Sequence, residues 1–273
     1  MFGDAPDYAA RMPSSEQPRR FAVLIDADNI SAKVIEGLLA EVANYGTAMV
    51  RRIYGDWTLP ALKSWKEMLL EHAIQPIQQF RYTTGKNATD SALIIDAMDL
   101  LYEGKLDGFC LVSSDSDFTR LASRIREEGL MVIGFGERKT PRAFVTACDR
   151  FVHTNILRGA ADPDDGDDAD DGDDKRGGKR NTLPIDDKMV NLLRWAVEAS
   201  EDEEGWAELG AVGAKLMSQQ PDFDARSYGF AKLSRLVEAT EAFEIERVTS
   251  KNGRVDFLLR ELPKKRSRRG GRR

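Results

Sequence analysis

From Arg20 to Arg158 the chain alternates short apolar runs with longer amphipathic stretches. Apolar runs of five to eight residues bounded by turn signals read as strands, and spacing of three and four between apolar residues reads as helix. On that basis strands fall at 21–25, 47–54, 74–79, 108–113, 130–135 and 150–153. Helices fall between them at 29–44, 60–72, 88–103, 117–128 and 141–147. A helix between successive strands is the crossover that parallel pairing requires. The pattern therefore constrains this half of the chain to an α/β fold, a mostly parallel sheet with helices on both faces.

Two of these strands run straight into acids. FAVLIDADN ends in Asp26 and Asp28, and FCLVSSDSDF ends in Asp115 and Asp117. Open α/β sheets bind ligands at the carboxyl ends of their strands. If the first and fourth strands lie side by side, their acids converge into a pocket for a hard cation, and Mg²⁺ or Mn²⁺ suits an all-carboxylate site. A third acid, Asp90 in TTGKNATDSALIID, opens the long third helix. Asp96 lies six residues on, off the Asp90 face, and reads with Asp99 as a solvated helix surface. Asp117 can add a ligand or support one. Asn29, at the start of the first helix, can orient a water or a phosphate oxygen. Lys33 and Lys86 are candidates for holding phosphate. Two divalent ions held in this way activate water and stabilise the leaving oxygen of a phosphodiester.

The same residue types also begin helices for structural reasons. Asp28 or Asn29 can be an ordinary N-cap, as can Ser114 or Asp115. Asn87 and Asp90 have the spacing of a capping box, though not its preferred residues. Three acidic helix starts together, two of them at strand ends, favour the metal site. The two histidines read as packing or surface residues, and with no Cys-x-x-Cys they are too few for a zinc site.

Hydrophobic content of 41% leaves material for a real core. The first nineteen residues have early acids and no apolar stretch, so they read as a disordered leader and not a secretory signal. Cys110 and Cys148 stand singly inside apolar elements, which favours buried thiols and a reducing cytoplasm. The net charge of −6 hides a segregation of charge. Without the nine aspartates between Asp162 and Asp174 it would be +3, and the last ten residues, KKRSRRGGRR, hold seven bases. Residues 159–182 carry no aliphatic side chain larger than alanine, so they read as a disordered, acidic, flexible linker. The basic tail at 263–273, with Lys264, Lys265, Arg266, Arg268 and Arg269, points to a polyanionic partner.

A second domain is read from 183 to 262. Helices are expected at 185–199, 207–219 and 225–239, then strands at 243–248 and 254–260 around the hairpin signal Asn252-Gly253. Three helices and a hairpin make a small winged helix-turn-helix domain. Trp206, Phe223, Tyr228 and Phe230 read mainly as core, while Lys232 and Arg235, a turn apart on the third helix, can face phosphate.

The order IDADN, GKNATD, SSDSDF and then a strand ending in Gly134-Phe135-Gly136 resembles the NYN domain family of PIN-like nucleases, over about 20–158. The matching residues are Asp26 and Asn29, Lys86 and Asp90, and Ser114, Asp115, Asp117 and Phe118. GKNATD departs from the Lys-Gly-x-Asp of many relatives, which bears on Lys86 more than on Asp90. The resemblance implies metal-dependent ribonuclease chemistry, 5′-phosphate and 3′-hydroxyl products, and adjacent first and fourth strands. From Gly205 to Arg247 the chain is similar to the OST-type helix-turn-helix, or LOTUS, domain. It is carried by Gly205, Trp206, Leu209, Gly213, Leu216, Pro221, Phe223, Tyr228, Gly229, Leu233 and Leu236. Such modules imply binding of RNA or of a protein partner.

The expectation is a Mg²⁺- or Mn²⁺-dependent endoribonuclease whose metals are held by Asp26, Asp90, Asp115 and Asp117, with Asn29 at the scissile group. The alternative is a non-catalytic RNA-binding adaptor. A third reading, a haloacid-dehalogenase-like phosphatase, rests on Asp26-Ala27-Asp28 and requires Asp26 as nucleophile.

Overall fold

The computed structural model describes residues 18–80, 88–157, 182–249 and 255–262. The leader, the acidic linker, the basic tail and the segment holding Lys86 and Asn87 lie outside them. The chain divides into two compact units, Met1–Ala160 and Ala161–Arg273. No described helix is long and apolar enough to cross a membrane.

The first unit is a six-stranded sheet. Its strands are β1 (Arg20–Asp26), β2 (Thr47–Gly55), β3 (Gln75–Gln78), β4 (Gly108–Val112), β5 (Met131–Gly136) and β6 (Arg150–His153). They run in the order β3-β2-β1-β4-β5-β6, with every pair parallel. The crossovers contain helices α1 (Ile35–Ala43), α2 (Trp65–Glu71), α3 (Ala88–Tyr102), α4 (Thr119–Glu127) and α5 (Arg142–Ala147). β1 is buried beyond its first residue and β4 is buried throughout. A strand covered on both faces needs a continuous apolar run, and FAVLI and GFCLV supply it.

Alternation along β1 sorts its side chains between two cores. Phe21, Val23 and Ile25 pack with Ile35 and Leu38 of α1 and Trp65 of α2. Ala22 and Leu24 pack with Leu93 of α3, Leu121 of α4 and Phe144 of α5. Removing one of these buried rings costs about 3–5 kcal/mol.

Strand order matters more for function than strand number. The chain builds outward from β1 through β2 to β3, then returns to lay β4 on the other side of β1. Crossovers on either side of that reversal leave a crevice at the carboxyl ends of β1 and β4. In the β1–β4 register Ile25 faces Val112, so Asp26 and Ser113 follow together.

The second unit holds α6 (Asp187–Glu198), β7 (Ala207–Glu208), α7 (Leu209–Gln219), α8 (Leu233–Ala239), β8 (Phe243–Thr249) and β9 (Val255–Glu261). Its antiparallel sheet runs β7-β9-β8. Met189, Leu193, Val212, Leu216, Phe223, Leu236 and Leu259 form its core. Two expectations change here. Ala207 and Glu208 pair with β9 and are not helical. The helix expected at 225–239 is broken: a 3-10 turn at Ala225–Tyr228 ends at Gly229, whose φ of 88° is left-handed, and α8 starts only at Leu233. Glycine adopts that conformation without the Cβ clash other residues meet, so the chain turns there.

Candidate active site

Asp26 ends β1 at 1% exposure. Burial pushes its carboxyl above the usual range, and three donors oppose that push. The Asn29 amide donates from Nδ2 to Oδ2 at 2.5 Å, the Ser113 hydroxyl donates to Oδ2 at 2.9 Å, and the Asp28 N–H donates to Oδ1 at 3.1 Å. Asn29 lies in the turn after β1 and does not open a helix. The N-cap of the following 3-10 turn (Ala32–Val34) is Ser31, whose Oγ accepts from the Lys33 N–H at 3.4 Å. Capping therefore does not account for Asp28 or Asn29. Lys33 is exposed.

Asp115 does act as a cap. Its side chain accepts from the Asp117 N–H at 2.9 Å, at the start of a 3-10 turn (Ser116–Phe118) that leads into α4. Capping uses Oδ1 of this half-buried carboxylate. Asp90 lies in the first turn of α3. Carboxylate oxygens of Asp90, Asp115 and Asp117 all come within 4.8 Å of one another, the one such group among the described residues. Asp26 stands outside this trio but close enough to act on it. Asp90 is pushed up to about 6, first by burial, then by the charges of Asp26, Asp115, Asp117 and Asp28. Five acids thus share one field. Asp28 is tied to the α3 side by the Thr89 hydroxyl, which donates to Oδ2 at 3.5 Å.

Ser113 is the residue that reading the sequence overlooked in favour of Ser114. Its hydroxyl donates to Asp26 and accepts from the Asp115 N–H at 3.1 Å, joining the two acidic strand ends. The signal is in the run SSDSDF, but Ser113 stands out only once β4 is placed beside β1. Ser114 has a different partner, accepting from the Glu137 N–H at 2.8 Å. That contact brings the end of β5 against the site. A Cβ on Gly136 would stand 2.7 Å from the Ser113 carbonyl oxygen, too close for any other side chain.

Asp96 is not a solvated helix residue. One oxygen accepts from Arg52 Nη1 at 2.6 Å and the other from the Tyr54 hydroxyl at 2.5 Å, and the pair is about three-quarters buried. His153 stacks edge-on against Phe151. A cavity of about 660 Å³ lies at the opposite, amino-terminal end of the strands, lined by Arg19, Asp107, Arg126 and Asp149 among others. Its charges are matched: Arg126 pairs with Asp149 at 2.9 Å and Asp107 with Arg20 at 3.1 Å.

In the second unit Lys232 is the extended residue before α8, not part of the helix, and Arg235 is exposed with its guanidinium 2.8 Å from Glu238. Phe223 is core, Tyr228 and Phe230 are partly buried, and Trp206 carries the Arg260 guanidinium 4.4 Å above its ring. Lys86, Lys264, Lys265, Arg266, Arg268 and Arg269 lie outside the described residues.

Comparison with known proteins places these features. The NYN domain matches residues 20–157, and the OST-HTH/LOTUS domain matches residues 184–255. No curated protein matches the chain. Among solved structures, a protein of unknown function from Vibrio parahaemolyticus is 20% identical with a TM-score of 0.44, covering 52% of this chain and 96% of its own. An uncharacterized protein from Nitrosomonas europaea is 30% identical with a TM-score of 0.28, covering 39% of this chain and 91% of its own. With half of its length matched by the first domain, the chain belongs to the NYN family of PIN-like nucleases, and it carries an OST-HTH/LOTUS domain behind that one.

Proposed function

We propose that this protein is a Mg²⁺- or Mn²⁺-dependent endoribonuclease that hydrolyses RNA phosphodiesters to 5′-phosphate and 3′-hydroxyl ends. The observation that carries the proposal is the convergence of Asp90, Asp115 and Asp117 at the sheet's reversal point, with Asp26 beside them. The donor set is all oxygen, which suits a hard divalent ion. Burial first, and the neighbouring carboxylates after it, lift Asp90 to about 6, and a bound cation would favour the charged form against both. When bound, the metal supplies Lewis acidity and a nucleophilic water at neutral pH.

The chain's own residues do the rest. Asp90, Asp115 and Asp117 hold the ion. Asp26 contributes its charge, and its hydrogen bonds fix Asn29 and Ser113. The Asn29 amide has two N–H groups and gives one to Asp26, which leaves one for a phosphate oxygen. The OST-HTH/LOTUS domain, with Lys232 and Arg235, and the basic tail add RNA affinity that weakens as salt rises. The buried, unbridged thiols of Cys110 and Cys148 fit a reducing cytoplasm.

The phosphatase reading loses ground on Asp26. A nucleophile needs an accessible oxygen, and Asp26 is buried with both oxygens accepting hydrogen bonds. The test is cleavage of single-stranded RNA by the full chain with Mg²⁺ or Mn²⁺, beside Asp26→Asn and Asp115→Asn. Wild-type cleavage lost in both variants, with unchanged circular dichroism, is the expected result. Cleavage by Asp115→Asn at the wild-type rate would overturn the site. RNA binding without turnover would instead make the protein an adaptor.

A further inference from the structure

A groove of about 730 Å³ lies between α3 and the edge strand β3. Ser91, at its upper end, follows Asp90 directly. Taking the carboxylate site as a ribonuclease centre, we infer that this groove binds one nucleoside of a single-stranded RNA next to the scissile phosphate and reads its base. The volume suits a group of that size, since small-ligand sites run roughly 300–1,000 Å³.

The lining has the chemistry of a base subsite. Ile77 from β3 and Ile95 from α3 offer apolar surface, and Ile95 is left 63% exposed. Gln75, on the same face of β3 as Ile77, and Gln79, just past the strand's end, bring two amides. An amide donates and accepts at once, which is what a base edge requires, and unpaired RNA is read by contact with base faces and edges. The floor is fixed and neutral in sum. Arg52 is held by Asp96, whose second oxygen is taken by the Tyr54 hydroxyl.

Charge separates the groove from its neighbour. The carboxylate cluster repels phosphate unless a cation intervenes, whereas the groove carries a matched Arg52–Asp96 pair and no excess charge. It therefore suits a base better than a phosphate. An added protein strand fits the edge poorly. Pro76 has no N–H to give, and the Ile77 carbonyl already accepts from Trp57 Nε1 at 3.1 Å.

The test uses the full-length chain and a random single-stranded RNA pool containing 4-thiouridine, with Mn²⁺. Two readouts are taken: the peptides photo-crosslinked to RNA, and the base composition around each cut. Crosslinks on 75–79 or 91–96 are expected, together with a base preference at one fixed position from the cut. Gln75→Ala and Gln79→Ala, both solvent-accessible and compatible with folding, should lower that preference about fivefold or more. Ile95→Arg, which fills the groove, should remove the crosslinks. RNA that is cut with no base preference, or with one unchanged in the variants, overturns the subsite, as do crosslinks confined to the second unit. Crosslinks in the groove without any cutting would keep the subsite and sink the nuclease reading. A wild-type dimer dissociated by Ile95→Arg would mark the groove as a protein interface and also overturn it.

Discussion

The two ends of the large sheet are both rich in charge and treat it in opposite ways. At the amino-terminal end each acid meets a base. Arg20 gives Asp107 its Nε and Nη2 as well as its backbone N–H, and holds that carboxyl below the usual range. Arg126 pairs with Asp149 at 2.9 Å. At the carboxyl-terminal end Asp26, Asp28, Asp115 and Asp117 gather around Asp90, which burial first and their charges second push up to about 6. Paired charge costs a fold little. Like charges gathered at one point destabilise it and persist where they serve another purpose. The contrast separates the end that stabilises from the end that acts.

The sharpest way to break this contrast is to neutralise a ligand. Asp115→Asn should lower RNA cleavage by more than about a hundredfold, the scale on which even outer-shell partners of metal ligands matter. Single-turnover rates at saturating Mn²⁺ measure it, and a loss below tenfold would remove Asp115 from the centre. Ser113→Ala comes next. It deprives Asp26 of a donor, with an expected loss of about tenfold to a hundredfold in rate and about 1–2 kcal/mol in stability. Urea unfolding and the same rate assay read both, and an unchanged rate would make Ser113 a purely structural link.

Asp90→Asn should act in the opposite direction on stability. A carboxyl whose folded value is raised binds its proton more tightly folded than unfolded, so it costs stability as pH climbs from about 4 to about 6. Removing the charge should therefore stabilise the metal-free chain at pH 7 by on the order of 1 kcal/mol, a figure reduced for solvent screening. The gain should vanish below pH 4. Chelated samples melted across pH 3–8 test this, and a variant less stable than wild type at pH 7 would deny that burial and the neighbouring acids penalise the Asp90 charge. The smallest effect belongs to the other end of the sheet. Arg126→Ala breaks a surface pair and should move the melting temperature by only about 2 °C, leaving cleavage unchanged.

Much of this was legible before any coordinates. Strands such as FAVLI and GFCLV announce themselves because both faces are buried, and acids after such strands are conspicuous. What local sequence cannot express is which strand lies beside which. The join between Asp26 and Asp115 depends on β4 returning to the far side of β1, and Ser113 acquires its role only from that placement. Asp96 misled for a related reason. Spacing rightly removed it from the Asp90 face, yet its partners Arg52 and Tyr54 come from β2, more than forty residues away. The broken third helix of the second unit was signalled by Gly229, but apolar periodicity runs on across it and hid the turn.

The hydrogen bonds at Asp26 also fix a proton inventory. Its three neighbours, an amide N–H, a backbone N–H and a hydroxyl, all point hydrogens at it. The Ser113 oxygen is meanwhile occupied by the Asp115 N–H, so its single hydrogen is committed to Asp26. Oδ2 takes two of these hydrogens and Oδ1 one, so the place left for a proton is on Oδ1. Beneath the crevice, then, two influences contend over one charge: burial, the larger, favours the proton, and the three converging hydrogens favour the anion.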